Sequence, residues 1–181
     1  ALRADDLPAN TTLRNKLELA QFEFDWQFGS RQLLKNNREK VEEISANTNT
    51  SNLTLANALL VAFYAESDPK TAIQYISAIA DNQKALQQCE PLLNFSPTDV
   101  TANQNLQTVK LALIDKVLGS PEIQQPDKAN LKDNWRLKQA AVFIALKQNQ
   151  QASQTLTELE KKYPKNAEIQ MQLARSLTGE L

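Results

Sequence analysis

Apolar residues recur along most of the chain at the spacing of an α-helix. From Leu13 to Phe24 they are separated by four, three and four positions, which places them on one helical face. The same kind of spacing returns from Ala56 to Phe63 and from Leu137 to Ile144. The pattern predicts an all-α protein of about nine helices, near residues 12–35, 38–46, 53–66, 69–81, 83–94, 97–118, 127–148, 150–163 and 166–178.

Two dipeptides mark helix starts. Asp68-Pro69 and Ser96-Pro97 each place a capping side chain directly before a proline at the first helical position. Asp99 follows Ser96 by three residues, which is a variant of the capping box. We therefore expect one helix to begin at Pro69 and another at Pro97.

Other positions predict interruptions. Pro91 lies inside the predicted fifth helix, where a proline costs about 3 kcal/mol, so we expect a kink or a break there. Residues 119–126, GSPEIQQP, form the clearest internal loop, and residues 46–52, ANTNTSN, form a second polar connector. Asp127 is positioned to cap the helix that follows the loop.

An aromatic stretch, FEFDWQFG at residues 22–29, is open to two interpretations. Strict alternation of aromatic and polar residues is typical of a half-buried strand. On a helix, Phe22 and Trp26 lie on one side, and Phe24 and Phe28 on the other. The preceding RNKLELAQ consists of good helix formers. We predict a helix packed between neighbours and buried on both sides, with the strand as the alternative.

Residues 141–164, AVFIALKQNQQASQTLTELEKKYP, resemble a tetratricopeptide repeat, a 34-residue unit of two antiparallel helices. Counted from Asp133, the family's characteristic small, aromatic, alanine, large apolar and proline positions hold Ala140, Phe143, Ala152, Leu156 and Pro164. Small side chains at both alanine positions would let two helices cross closely, and proline would end the second helix. The resemblance is not complete, since Trp135 falls one residue before the family's tryptophan position.

Weaker units resemble the same repeat further upstream. One starts near Leu53, with Ala72 and Ile76 at matching positions, and another starts near Phe22, with Val41 in place of the family's alanine. The resemblance implies a right-handed α-solenoid of antiparallel helix hairpins. Residues 1–118 would form an N-terminal array that is irregular from about residue 85, and residues 127–181 a C-terminal hairpin with a capping helix, within one continuous fold. An unrelated α-helical bundle is the alternative.

The family binds other polypeptides along the concave face of its first helices, so the resemblance implies a groove that binds a peptide or helix of a protein partner. Carried onto this sequence, the groove positions give the following candidate partner-binding residues: Trp26, Leu33, Asn57, Val61, Tyr64, Asn134, Leu137 and Ala141. Members that clamp a C-terminal carboxylate use lysine and arginine together with asparagine. Only Asn57 has a counterpart here, so we do not expect that type of clamp.

The amino-acid composition limits which catalytic, metal-binding and nucleic-acid-binding sites the chain can form. The chain contains no histidine, one cysteine, three glycines and a net charge of -1. We therefore predict no enzyme activity, no catalytic residue, no cofactor or metal site, and no nucleic-acid partner, and we interpret Cys89 as a small buried residue. No run of eighteen apolar residues occurs, so direct membrane insertion is not expected.

Function is predicted only as a class. The leading hypothesis is a non-catalytic interaction or scaffold module. The alternative is a structural, self-associating segment of a larger envelope, secretion or assembly component, with residues 22–28 as the interface. A small-molecule site ranks third and would require a deep pocket with converging carboxylates. The start at Ala1 rather than Met leads us to expect an excised domain or a processed chain, and the single cysteine favours the cytoplasm over the periplasm.

Overall fold

A computed structural model describes residues 11–28, 37–47, 50–80 and 82–178. Within these ranges the chain forms α-helices and no strand, which confirms the all-α class. The described α-helices are α1 (Thr11–Phe28), α2 (Arg38–Asn47), α3 (Thr50–Tyr64), α4 (Pro69–Ala78), α5 (Asn82–Leu92), α6 (Val100–Leu118), α7 (Ala129–Ala145), α8 (Asn149–Lys162) and α9 (Ala167–Thr178). The predicted continuation of the first helix to residue 35 lies outside the described residues.

Two helix starts show how local sequence sets a boundary. Asp68 caps α4 as predicted, because its carboxylate accepts the backbone N–H of Thr71 at 3.2 Å and the Thr71 hydroxyl at 2.7 Å. The prediction for α6 is wrong by three residues. Asp99, not Ser96, is its cap, and Asp99 Oδ1 accepts the N–H of Ala102 at 2.8 Å. A proline directly after a capping residue therefore starts α4 but not α6.

The fifth helix is shorter than predicted. α5 includes Pro91 and ends one residue later, at Leu92, rather than near residue 94, so the helix is not broken before the proline. The predicted cap at Asp127 is wrong. Residues Pro126–Lys128 form a 3₁₀ turn that leads into α7, and Lys128 occupies the cap position without a side-chain hydrogen bond.

The centre of the N-terminal half is α3, which packs against α1, α2, α4 and α5. Every residue from Ala56 to Phe63 is buried, so this helix has no polar face to present to water. Its buried Asn57 is satisfied, because the Ser45 hydroxyl of α2 donates to Asn57 Oδ1 at 2.9 Å. Burial on all sides explains the continuous apolar run LANALLVAF.

The aromatic stretch is helical, which confirms the helix interpretation over the strand. Trp26 is buried, and its indole N–H donates to the backbone carbonyl of Leu92 at 2.8 Å. Phe63 and Phe95 meet the indole edge to face, with ring centroids 5.3 and 5.9 Å away. Trp26 therefore joins α1 to the end of α5.

The prediction that both sides of α1 are buried is wrong. Phe24 is 58% exposed and Phe28 is 73% exposed, and their rings contact each other at 5.1 Å. α1 packs against α3 and α5 through the side that carries Phe22 and Trp26. Its other aromatic side faces outward among the described residues.

The C-terminal helices share a core of their own. Ala140 of α7 and Ala152 of α8 are completely buried in the same cluster as Leu156. Polar contacts join the same two helices, since the hydroxyl of Tyr163 donates to Asp133 Oδ2 at 2.7 Å and the ammonium of Lys162 binds the same oxygen. The small residues thus lie between the paired helices, as the sequence predicts.

Between the N-terminal and C-terminal cores lies a third cluster that α6 and α7 share. It contains Ile114 and Val117 of α6, Trp135 and Val142 of α7, and Ile123 from the loop. Ile123 and Ser120 of the loop 119–126 are buried, so the loop packs against the fold. The division of the chain at this loop stays a prediction.

The α7–α8 turn is a Schellman motif with an unusual residue in it. Gln148 N–H donates to Phe143 O at 2.8 Å, and Lys147 N–H donates to Ile144 O at 2.9 Å. Lys147 itself has φ 58°, the left-handed region in which a Cβ is unfavourable. This position is normally occupied by glycine.

We predict that Lys147→Gly stabilises the protein. Removing the Cβ relieves left-handed strain, and after the entropy cost of glycine the net gain is about 0.5–1 kcal/mol. Urea unfolding followed by circular dichroism measures it. The matched control is Lys16→Gly, at an exposed position inside α1, which should destabilise by about 0.5–1 kcal/mol. Loss of stability in both variants would contradict the interpretation of the turn.

Candidate functional site between α5, α6 and α7

A cavity of about 640 Å³ opens where the end of α5 meets α6 and α7. This volume lies within the range of pockets that hold small ligands or short peptide segments. From α5 and the residues after it come Glu90, Pro91, Leu93 and Asn94. The cavity therefore begins where α5 ends.

Two helical stripes form the facing walls. α6 contributes Gln107, Lys110, Leu113 and Ile114, and α7 contributes Trp135, Lys138, Ala141 and Val142. Both sets follow the spacing i, i+3, i+6, i+7, which is one face of a helix over two turns. At 1.5 Å rise per residue, each wall is about 10 Å long. The result is a short trough between two helices.

An ion pair bridges α5 and α7 at the trough. Lys138 Nζ lies 2.6 Å from Glu90 Oε1, and both side chains are about half exposed. The same ammonium lies 4.2 Å from the centroid of the Trp135 ring, a cation–π contact. Lys138 and Glu90 thus compensate each other's charge, and one face of Trp135 is covered.

Lys110 differs from Lys138. It lies partly buried on the α6 wall, and among the described residues its ammonium has no hydrogen bond or ion pair. Burial lowers the pKa of Lys110 below its ordinary value of 10.5, because desolvation penalises the charged form. The trough therefore contains one uncompensated cation among the apolar side chains of Leu113, Ile114 and Val142.

The structure distributes the sequence-predicted groove residues among different environments. Trp26, Asn57 and Val61 are at most 4% exposed, so their side chains support the core and offer no surface to a partner in this conformation. Leu33 lies outside the described residues. Their proposed role in binding was inferred from repeat position alone, and repeat position does not reveal which faces neighbouring helices cover.

The remaining predicted residues lie nearer the surface. Ala141 is exposed and lines the trough, Asn134 is exposed on α7, and Leu137 is half-buried against the C-terminal core. Tyr64 is half-buried and donates its hydroxyl to Glu42, a hydrogen bond that raises the pKa of Tyr64 to about 12. For these four, partner contact stays a prediction, and only Ala141 belongs to the trough.

Sequence reasoning missed Lys110. The signal was present, since it is the only charged residue in the otherwise apolar run VKLALI at 109–114. A helical wheel places Lys110 with Leu113 and Ile114, and a lysine on such a face is often a residue whose stem packs while its head reaches water. The cavity beside it depends on where α5 ends relative to α7, which no local pattern specifies.

Cys89 takes no part in the trough. It is completely buried, and burial raises the pKa of its thiol to about 12, so the thiolate is scarce at neutral pH. This confirms its interpretation as a small buried residue. In the part of the chain that the structure describes, no group of three or more histidine, cysteine or acidic residues is placed to hold a metal ion.

Comparisons of the chain with known protein families, with curated proteins and with solved structures find no match. Of the helices in the described ranges, none is both long enough and apolar enough to cross a membrane.

We predict that Lys110→Met stabilises the free protein at pH 7 by roughly 1 kcal/mol, the low end of the penalty for a buried polar group without a partner. Because the folded-state pKa is lowered, the unfolded chain binds more protons as the pH rises from the folded pKa to about 10.5. The wild type therefore gains stability over that window, and the advantage of the variant shrinks. Urea unfolding at pH 7 and near pH 10.5 measures both.

The control for this prediction is Lys161→Met, at an exposed position on α8. Exposed substitutions away from packed features usually change stability by less than about 0.5 kcal/mol. A Lys110→Met variant less stable than wild type at pH 7 would show that the ammonium has a stabilising partner.

Proposed function

We propose that this protein is a non-catalytic interaction module that holds a short peptide or helix of a partner protein in the trough between α6 and α7. The observation that carries the proposal is the trough itself, with two facing helical stripes, apolar walls and one uncompensated cation. Apolar grooves of this kind accept segments whose side chains insert at helical spacing. The trough is bounded at one end by the residues around Pro91, and its volume of about 640 Å³ lies in the range of ligand pockets.

A tetratricopeptide-like solenoid is part of the proposal. In support, α7 packs against α8, and both pack against α9, as the helices of one hairpin and the first helix of the next would. Upstream, α3 pairs with α4 and α5 pairs with α6, while α3 also packs against α5 and α4 against α6. These contacts are compatible with adjacent hairpins lying side by side, and they support the proposal.

The residues that line the trough favour binding of a partner over catalysis. Its one carboxylate, Glu90, is engaged by Lys138, and the pocket lacks the converging carboxylates that the small-molecule hypothesis required. The remaining lining consists of apolar side chains, the amides of Asn94 and Gln107, and Lys110. Such a surface supplies shape, apolar area and one charge.

We predict that peptides selected on the full chain from a random twelve-residue display library bind in the trough. Ala141→Trp fills the trough from the α7 wall, so it should raise the Kd of these peptides at least tenfold, measured by fluorescence anisotropy. Ala174→Trp is the matched control, because Ala174 is exposed on α9 and does not line the trough. Equal affinities for wild type and both variants would overturn the proposal, as would the absence of any binder.

A second candidate function has its own observation. Phe24 and Phe28 expose a large aromatic surface on α1, and Leu17, 38% exposed, lies on the same helix. Exposed aromatic patches mark interaction sites more often than chance positions do. Under this alternative, α1 mediates self-association within a structural assembly.

If α1 mediates self-association, the wild type will show a concentration-dependent dimer in sedimentation equilibrium, and a Phe24→Gln/Phe28→Gln variant will remain monomeric. The substitutions lie on the exposed side, so thermal unfolding should change little. Phe22, on the packed side of α1, gives the contrast, since its replacement by Gln should lower stability instead. A wild type that stays monomeric at high concentration would contradict this alternative.

A further inference from the structure

We infer that the segment bound in the trough carries a carboxylate that pairs with Lys110, flanked by apolar side chains on both sides. The inference rests on the proposed function, since it names the chemistry of the partner for that same site. The partner class is a short protein segment with an aspartate or a glutamate set among apolar residues.

Charge complementarity carries the inference. Three charged residues line the trough, and two of them, Lys138 and Glu90, neutralise each other at 2.6 Å. Lys110 remains as a cationic side chain that no described residue pairs. A bound segment that displaced water from the trough without supplying a negative group would leave that charge desolvated, which opposes binding. A segment with a carboxylate turns the same desolvation into a charge-assisted hydrogen bond.

The surroundings of Lys110 determine what flanks the carboxylate. On its own stripe, Leu113 and Ile114 lie one turn further along α6, and Val142 faces them from α7. Leu93, itself 1% exposed, closes the α5 end of the trough. Apolar residues on either side of the acidic group would therefore be buried, whereas a uniformly acidic segment would leave these walls unfilled.

The trough also restricts length and position. Walls of about 10 Å accommodate roughly two turns of helix or three residues of extended chain. The Trp135 face is already occupied by the Lys138 ammonium, so a cation on the segment gains no aromatic partner there. Asn94 is exposed at the edge of the trough and adds a polar side chain to its rim. One acidic residue at the centre of a short apolar segment meets all of these constraints.

The probe is the random twelve-residue library selected on the full chain, restricted to peptides whose affinity falls in Ala141→Trp. We expect these trough-binding peptides to be enriched in an aspartate or glutamate with apolar neighbours. Replacing that residue by Asn or Gln should weaken binding to the wild type about ten- to a hundredfold, and should have little effect on binding to Lys110→Met. Lys161→Met serves as the control and should behave as wild type.

The outcomes separate the inference from the proposed function. The carboxylate inference would be wrong if trough-binding peptides lacked an acidic residue. It would also be wrong if the amide replacement weakened binding to Lys110→Met as much as to the wild type. Neither result would contradict the proposed interaction module. Peptides insensitive to Ala141→Trp would overturn both. Because Lys110→Met is expected to be at least as stable as the wild type, an unfolded variant does not account for lost binding, and circular dichroism checks this directly.

Discussion

The hydrogen bond from the Trp26 indole to the carbonyl of Leu92 ties α1 to the end of α5, and the position of the trough depends on that end. α5 ends at Leu92, and the last carbonyls of a helix have no partner within it. Trp26 supplies one, from a helix 66 residues earlier in the chain. The bond fixes the end of α5 beside α1, and Phe63 and Phe95 hold the indole in place through edge-to-face contacts. A buried carbonyl left without this donor would cost about 1–3 kcal/mol.

The trough follows from that fixed end. α5 has 11 residues and α6 has 19, so the shorter helix stops beside the longer one, and the chain after Leu92 turns away. Glu90 and Asn94 are thereby held at the rim, where Glu90 meets Lys138 of α7. The aromatic residue that repeat position nominates for direct partner contact thus acts from inside the core, by holding one boundary of the site.

The sequence was most informative where local chemistry decides the outcome. Apolar spacing predicts the helices, Asp68 predicts a cap, and Ala140 and Ala152 predict a close pairing of α7 with α8. It was least informative where tertiary contacts decide. Trp26 and Phe24 lie in the same alternating aromatic stretch of α1, yet Trp26 is 4% exposed and Phe24 is 58% exposed. The difference arises because α3 and α5 pack on only one side of the helix. Lys110 is a candidate binding residue because α7 lies across a cavity from it, which is a tertiary contact.

We propose the trough as the surface that binds a partner. Intermolecular nuclear Overhauser effects between the isotope-labelled chain and an unlabelled selected peptide locate the bound segment most directly. We predict contacts from the peptide to the methyl group of Ala141 and to the side-chain methylenes of Lys110 and Lys138. Contacts to Phe24 and Phe28 of α1 in their place would contradict it.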